Sequence, residues 1–440
     1  MNIIIRLRRL SSFRIIILSF LCLILCGTGL LMLPWATANG EGASFSDALF
    51  TSVSASCVTG LTTVDTAAYW TLFGQLVILA MIQVGGFGVI TVAVSLAALS
   101  GQRIGLMQRS LSKDAVSAPQ LGGIVPLLYF ILHLTFFIEF LGALFLAPSF
   151  CQKVGLLRGI YFAVFHSISS FCNAGFDLFG NSLMDFVGDP IVNVTVMLLI
   201  IAGGLGFTTW ADIRLNRGNF HAYTLQSKIA LTMTAALILI PGLFFFFFEL
   251  DPSTSLSEHF LISFFQSVTT RTAGYNTIDI KDFSETGRAA LIALMLIGGS
   301  PGSTAGGIKT TTAFTLFAIM IATFRLKKDP TCFSRRLSSE TQRHAITILM
   351  MYLLLFASGS ILLNLIDGIR LIDSAFETAS ALGTVGLSIG VTDDLGPLSK
   401  YVMMLLMFFG RIGGLTVIFA AHAHSRQDSG RSPEERITIG

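Results

Sequence analysis

A stretch that begins with phenylalanine and ends in a run of small residues with one glycine occurs four times in this chain. The four copies occupy residues 50–61, 165–176, 265–275 and 376–387. Their glycines, at near-regular intervals, are Gly60, Gly175, Gly274 and Gly386. The third copy is one residue shorter between its phenylalanine and its glycine. Self-similarity at a roughly fixed period predicts that the chain consists of four similar structural units.

The composition places these units in a membrane. Of the 440 residues, 53% are hydrophobic and only 12% are charged, and the mean hydropathy is +0.76. A soluble domain carries about a quarter charged residues. The six scattered cysteines lie mostly in apolar segments, so we interpret them as packing residues rather than as a disulfide framework or a zinc site. Nothing in the composition indicates nucleic-acid binding.

Each unit has the same order of segments: a long apolar helix, a helix too short to cross a bilayer, a small-residue segment, and a second long apolar helix. This order predicts an all-α integral membrane protein with eight transmembrane helices and four re-entrant pore helices. The four tandem helix–pore-loop–helix units would surround one central pore. The predicted boundaries are an N-terminal segment at 1–14, units at 15–111, 112–222, 223–330 and 331–423, and a C-terminal tail at 424–440.

The basic residues predict the orientation. With the N-terminus in the cytoplasm, most of the 28 Lys and Arg residues fall on the cytoplasmic side, as the positive-inside rule requires, and both termini are cytoplasmic. The basic start and Ala36-Thr37-Ala38 also resemble a secretory signal with its cleavage site. We interpret residues 15–33 as a transmembrane helix instead, because every unit has such a helix before its small-residue segment.

The four small-residue segments predict a cation filter. Irregular backbone at membrane depth needs partners from protein or from a water-filled path. The short helix would direct its partially negative C-terminal end at this path, and glycine allows carbonyl groups to turn inward. Rings of carbonyl oxygens that replace the hydration shell select potassium. The predicted filter residues, with K+ as the bound ion, are Val58, Thr59, Gly60, Asn173, Ala174, Gly175, Thr272, Ala273, Gly274, Thr384, Val385 and Gly386.

This architecture resembles the Trk/Ktr/HKT superfamily of potassium transporters, and it is most similar to the KtrB-like membrane subunits of bacterial Ktr systems. The resemblance covers residues 13–422, and its most specific motifs are residues 267–275, residues 298–309 and Gly410-Arg411-Ile412-Gly413-Gly414. It implies potassium uptake across the bacterial cytoplasmic (inner) membrane, with Na+ as a candidate second ion. It also implies a homodimer, contacts with membrane lipids, and a cytosolic nucleotide-binding regulatory ring (KtrA-like). No cofactor is expected in this chain.

Residues 298–309 interrupt the second helix of the third unit with glycine and proline, and we call them the glycine-rich loop. Gly302 and Gly307 have the spacing of a phosphate-binding loop, but Ile308 stands where that motif needs lysine. A plain kink is a second interpretation. The family resemblance implies a mobile gate beneath the filter. The predicted gating residues are Gly298, Gly299, Gly302, Gly306, Gly307, Lys309 and Arg411.

A few charged residues lie at membrane depth, where each is costly and therefore a candidate for a role. Arg411 is interpreted either as a charge barrier to potassium or as a partner of carbonyl groups in the glycine-rich loop. Arg271 is predicted to form an ion pair with Glu377 of the next unit. For His133 and Glu139, which lie on one predicted helix, local hydrogen bonding is favoured over a proton relay.

Two segments outside the predicted transmembrane helices carry histidine or basic residues. His422 and His424 are interpreted as surface residues rather than as a metal site, and residues 325–344 as ordinary positive-inside charge or as a docking face.

A symporter with alternating access and broken helices is the alternative to a pore. An enzyme is not expected, because no nucleophile with a nearby histidine and acid lies at membrane depth.

Overall fold

The first two units of the protein are built almost entirely of helices. The computed structural model describes residues 12–99, 106–116, 123–249, 255–414 and 416. The helices of the first unit are α1 (Ser12–Leu31), α2 (Phe45–Cys57), α3 (Thr66–Tyr69), α4 (Leu72–Phe87), α5 (Val89–Leu99) and α6 (Leu106–Val116). Those of the second unit are α7 (Ile124–Val154), α8 (Leu156–Phe171), α9 (Pro190–Gly204) and α10 (Phe207–Asn216).

The third and fourth units repeat this order, with one small hairpin between them. The third unit contains α11 (Leu225–Phe248), α12 (Leu256–Thr269), α13 (Glu285–Met295) and α14 (Thr310–Phe324). Strands β1 (Thr331–Cys332) and β2 (Arg335–Arg336) form an antiparallel hairpin. The fourth unit contains α15 (Ser339–Asp367), α16 (Leu371–Gly383) and α17 (Pro397–Ile412). The predicted all-helical architecture is confirmed, while the exact unit boundaries stay predictions.

Four of the described helices are long and apolar enough to cross a membrane, and each is the first helix of its unit. They are α1, α7, α11 and α15. Helices α9 and α10 would form a fifth span if taken together, but they are bent by 94° at the break between them. Among the described residues, helix length and composition therefore identify four or five transmembrane helices rather than the predicted eight. The tail at 424–440 and His422 and His424 lie outside the described residues.

The second helix is broken in the first, second and fourth units, where the sequence predicted one continuous helix. The breaks follow one pattern: a glycine with a positive φ lies directly after or within two residues of the end of the first segment. These glycines are Gly88, Gly206 and Gly413, with φ of 83°, 88° and 83°. Only glycine adopts such a conformation at low cost, so the residue type itself ends the helix at this point.

Another glycine, three residues before each break, lets the second helix approach the pore helix of its unit. A Cβ at Gly85, Gly203 or Gly410 would collide with a backbone carbonyl near the end of that pore helix. The carbonyls belong to Ser56, Phe171 and Leu382. The short glycine clusters at 85–88, 203–206 and 410–414 thus bring each second helix close to a pore helix, and they also break that second helix.

The short helices α2, α8, α12 and α16 occupy the positions of the four predicted pore helices, a name that we keep for them, and each packs against the first long helix of its own unit. The phenylalanine that begins each repeat anchors the pore helix in the core. Phe50, Phe165, Phe265 and Phe376 are all at most 1% exposed. Because burying an aromatic side chain contributes about 1.5–3 kcal/mol, this residue fixes the pore helix firmly against its surroundings.

Candidate ion pathway

The four repeat glycines lie side by side in a closed ring. Each glycine is so close to the next unit that an added Cβ would collide with the carbonyl oxygen of the residue before the next glycine. The contacts run from Gly60 to Ala174, from Gly175 to Ala273, from Gly274 to Val385 and from Gly386 to Thr59. Since the fourth contact returns to the first unit, the four segments surround one common axis.

The backbone has the same unusual conformation in all four segments. Each ring glycine has a positive φ, and so does the residue two positions before it. These preceding residues are Val58, Asn173, Thr272 and Thr384, with φ of 57°, 61°, 66° and 52°. Three of them are β-branched, for which a positive φ is a genuine outlier costing about 1–3 kcal/mol. Its fourfold recurrence indicates that the surroundings of the ring impose this conformation.

The ring separates a cavity from the glycine-rich loop. Residues at and after the four glycines line a cavity of about 240 Å³. Asp177, Ser388 and Asp393 are among its polar lining residues. Burial raises the pKa of Asp393, and the neighbouring Asp394 adds to the shift. All four glycines therefore open into one polar space, which we call the filter cavity.

The glycine-rich loop lies on the other side of the ring, against residues that precede the glycines. Thr304 Oγ1 donates to the Phe171 carbonyl at 3.1 Å and lies 3.0 Å from Asn173 Oδ1. A Cβ at Gly306 would collide with the Thr384 side chain, and one at Gly298 would lie 3.1 Å from Thr272 Cγ2. The loop thus contacts pre-glycine residues of the second, third and fourth units and covers this side of the ring.

The two ends of the loop are held together at a narrow neck. Gly298 N donates to Ile308 O at 2.9 Å, and Ile308 N donates to Leu296 O at 3.1 Å. The rest of the loop is attached to the second unit, because Ser300 N donates to Gly204 O at 2.9 Å and Phe207 N donates to Gly302 O at 2.9 Å. Gly302 and Gly307 adopt positive φ within this fold.

Arg411 joins three units directly beneath the ring. Its guanidinium donates to Thr304 O of the glycine-rich loop, to Gly85 O at 2.5 Å and to Gly86 O at 2.9 Å. Arg411 stands at the position that Gly86 and Gly204 occupy in the glycine clusters of the first two units. The contact with a loop carbonyl agrees with one of the two interpretations of Arg411, and its place beneath the ring is compatible with the other.

Lys309 lies close to Arg411 and also serves the loop. Its Nζ donates to Ala305 O at 2.5 Å, which closes the loop on itself. Both cations line a cavity of about 150 Å³, together with Asp114 and Ser303. Among the described residues, neither cation takes part in a salt bridge. Positive charge without a carboxylate partner therefore lies between the ring and the far side of the loop.

The predicted ion pair between Arg271 and Glu377 is wrong. Arg271 is buried, and its guanidinium donates to Thr234 Oγ1 on α11 at 3.1 Å. Glu377 instead accepts hydrogen bonds from residues that follow the fourth filter, among them Thr392 Oγ1 at 2.6 Å and Ile389 N at 3.0 Å. Arg271 follows its pore helix whereas Glu377 lies within one, so the two side chains face different parts of the chain.

Glu139 and His133 make separate hydrogen-bond contacts, and that of Glu139 reaches the first unit. Gln83 Nε2 donates to both carboxylate oxygens of Glu139, at 2.9 and 3.2 Å. His133 Nδ1 lies 2.7 Å from Tyr129 O on the same helix. In addition, the Cys172 thiol donates to Gln83 Oε1 at 3.5 Å. Glu139 is therefore connected through Gln83 to the residue before the second filter rather than to His133.

One hydroxyl residue in each pore helix contacts the predicted filter segment, and these four residues were not predicted from the sequence. These residues are Ser54, Ser169, Thr269 and Ser380, all buried. Each lies four positions after the phenylalanine that begins its repeat, so alignment on the phenylalanines would have found them. This alignment also places the missing residue of the third copy between Thr269 and Gly274.

The described residues contain no group of three or more His, Cys, Asp or Glu side chains that could hold a metal ion. The oxygens that the ring offers belong to the backbone instead. Carbonyl oxygens are ligands suited to a hard monovalent cation in transit rather than to a resident transition metal.

The chain is similar in sequence to bacterial cation transport proteins. The family model "TrkH: Cation transport protein" matches residues 5–431. The potassium/sodium uptake protein NtpJ of Enterococcus hirae is 39% identical, with 98% of each chain covered. The Ktr system potassium uptake protein B of Bacillus subtilis is 37% identical over 98% of this chain and 97% of its own length.

The fold is shared with a solved structure of a bacterial transporter. The potassium transporter TrkH of Vibrio parahaemolyticus aligns with a TM-score of 0.73 and 20% identity, over 93% of this chain and 84% of its own. The family match spans almost the whole chain, and this chain therefore belongs to the TrkH family of cation transport proteins. It is a multi-pass membrane protein and a transporter rather than an enzyme.

Proposed function

We propose that this protein takes up potassium through a single-chain pore whose narrowest part is the ring of filter segments. The observation that carries the proposal is the closed ring of Gly60, Gly175, Gly274 and Gly386, which opens into one cavity. The carbonyl oxygens at the ring would replace part of the hydration shell of K+. The similarity to the potassium uptake protein B of the Bacillus subtilis Ktr system supports this choice of ion.

The ring favours a pore over a symporter with alternating access. Carriers of that kind bind their substrate between two inverted repeats that rock against each other. Here four segments of the same orientation contact one another in a closed cycle, and all four share one unusual backbone conformation. Rocking of one half against the other would open two of these contacts.

The glycine-rich loop is proposed as the gate of this pore. It covers one side of the ring, and Lys309 and Arg411 place positive charge there. A fixed cation near the path of K+ raises the free energy of the ion, most strongly where water is scarce. Loop movement would remove both the steric and the electrostatic barrier.

Replacing Arg411 with methionine is expected to increase potassium flux about three- to tenfold. The change removes the charge as well as the hydrogen bonds to Thr304, Gly85 and Gly86, and a tenfold rate change needs only about 1.4 kcal/mol. Arg411→Lys separates the two roles. It keeps the charge but not the forked contacts, so flux close to that of the methionine variant would assign the effect to the hydrogen bonds. Flux unchanged in both variants would contradict a gating role.

The proposed assembly follows the Ktr systems named among the relatives. We propose a homodimer in the bacterial inner membrane, with both termini cytoplasmic and a cytosolic nucleotide-binding ring as regulator. The name of the Bacillus relative, a protein of the "Ktr system", supports a multi-component assembly. The loop would respond to this partner because it is attached to the second unit through Gly204 and Phe207, close to α10.

The proposed function is tested by ion uptake in potassium-starved cells that lack their own uptake systems. Cells that produce this chain, with and without a co-expressed regulatory subunit, are expected to take up K+ in preference to Na+. Uptake of K+ is then measured with and without external Na+, since the name of the Enterococcus relative joins the two ions. Absence of K+ uptake in cells that contain both proteins in the membrane would contradict the proposal.

A further inference from the structure

We propose that the Ser54 and Ser380 hydroxyls hold two filter peptides in the orientation that turns their carbonyl oxygens toward the ion, and thereby set the discrimination between K+ and Na+. This inference rests on the proposed function, because it assumes that the ring is the potassium filter. Ser54 and Ser380 occupy equivalent positions in the pore helices α2 and α16. Both are completely buried.

The two serines make the same hydrogen bond in the first and fourth units. Gly60 N donates to Ser54 Oγ at 3.1 Å, and Gly386 N donates to Ser380 Oγ at 3.0 Å. The N–H and C=O groups of a trans peptide point in opposite directions. A Gly60 N–H that is held toward the pore helix therefore directs the Thr59 carbonyl away from that helix. The Ser380 contact acts on the Val385 carbonyl in the same way.

The carbonyls that these contacts orient are those at the ring. Thr59 O and Val385 O are the atoms that an added Cβ at Gly386 and Gly274 would meet. Without the serine hydroxyl, each glycine N–H, which is only partly buried, would lose its protein partner, at a cost of up to about 1–3 kcal/mol. Rotation of the peptide would give the N–H a new partner. The same rotation would turn the carbonyl from the ion and weaken ligation.

The second and third units use the equivalent hydroxyl differently. Ser169 Oγ donates to Phe176 O at 3.0 Å, and Thr269 Oγ1 donates to Tyr275 O at 2.5 Å. These contacts hold the carbonyl after the ring glycine rather than the N–H of the glycine itself. Control of the ring carbonyls by hydroxyl groups is thus assigned to the first and fourth units.

The test is the ratio of K+ to Na+ uptake in a Ser54→Ala/Ser380→Ala double variant. The ratio is expected to fall about tenfold, which corresponds to about 1.4 kcal/mol between the two ions. Ser54→Thr/Ser380→Thr keeps both hydroxyls and is expected to restore most of the ratio, since Thr269 occupies the equivalent position in the third unit.

A matched control removes two other buried hydroxyls from the same helices. Ser52 Oγ and Thr378 Oγ1 are buried without a hydrogen-bond partner. Ser52→Ala/Thr378→Val should leave the ratio within about twofold of the original, because no hydrogen bond is lost. If the alanine double variant does not reach the membrane, Ser380→Ala alone is measured and should lower the ratio about threefold.

The outcome separates this inference from the proposed function. If the unmodified protein takes up K+ selectively and the Ser54→Ala/Ser380→Ala ratio is unchanged, the inference is overturned and the potassium pore stands. If the control variant loses selectivity as strongly as the alanine variant, the specific role of the two hydroxyls is likewise overturned. Lack of K+ uptake by the unmodified protein overturns both.

Discussion

Deletion of residues 302–306 is expected to raise potassium flux about tenfold or more. The deleted tip carries Thr304, which contacts Phe171 and Asn173 beneath the ring, and it also provides carbonyl partners of Arg411 and Lys309. Its removal uncovers this side of the ring. A barrier lower by about 1.4 kcal/mol is sufficient for a tenfold increase. Uptake of K+ into starved cells, normalised to the amount of protein in the membrane, measures the effect.

The neck of the loop makes this deletion structurally mild. Gly298 and Ile308 are already hydrogen-bonded to each other, so the chain can close again across the gap. Thr304→Val is a suitable companion variant because it removes only the hydroxyl contacts and should increase flux less. Unchanged or lower flux in a deletion variant that is well expressed would show that the loop is not the gate.

Gly60→Ser is expected to reduce the K+ to Na+ uptake ratio about tenfold while the protein still folds. Gly60 has a φ of 93°, and a Cβ there would collide with Ala174 O in the ring. A side chain at this φ is strained, and the collision with backbone requires the filter segments to move apart. A wider ring ligates K+ less completely, so its preference for K+ over the smaller Na+ is reduced.

Gly40→Ser is the matched control for backbone strain. Gly40 also has a positive φ, of 73°, but no atom lies within 4 Å of an added Cβ. Its replacement should cost some stability and leave the uptake ratio unchanged. Equal losses of selectivity in the two variants would trace the effect to destabilisation rather than to the geometry of the ring.

The sequence predicted the features that local patterns encode. The phenylalanine-to-glycine repeat coincides with four short helices and four glycines in mutual contact, because burial of Phe50 and the turn at Gly60 are local requirements that recur in every unit. The glycine-rich loop was also recognisable from its composition. Nothing in such patterns fixes the direction in which a side chain points along the pore, and for this reason the predicted pair of Arg271 and Glu377 was wrong.

The breaks at Gly88, Gly206 and Gly413 illustrate a second limit. A glycine in an apolar segment is compatible with close helix packing and with the end of a helix, and composition alone does not separate the two. Which of the two roles a glycine has depends on residues that are distant in the sequence. Gly85 contacts the Ser56 carbonyl, whereas Gly86 O accepts a hydrogen bond from Arg411 of the fourth unit. Recurrence of the same glycine spacing in three units was the available signal.

The placement of all four filter segments on one polypeptide changes what a single mutation can do. In a ring of four identical subunits, each substitution appears in every quadrant, and a buried arginine beside the filter would bring four like charges together. Here Arg271 occurs in one quadrant only, and its equivalents include Cys57 and Cys172. Selection can therefore adjust this pore one quarter at a time, and it can retain residues that a symmetric tetramer would have to exclude.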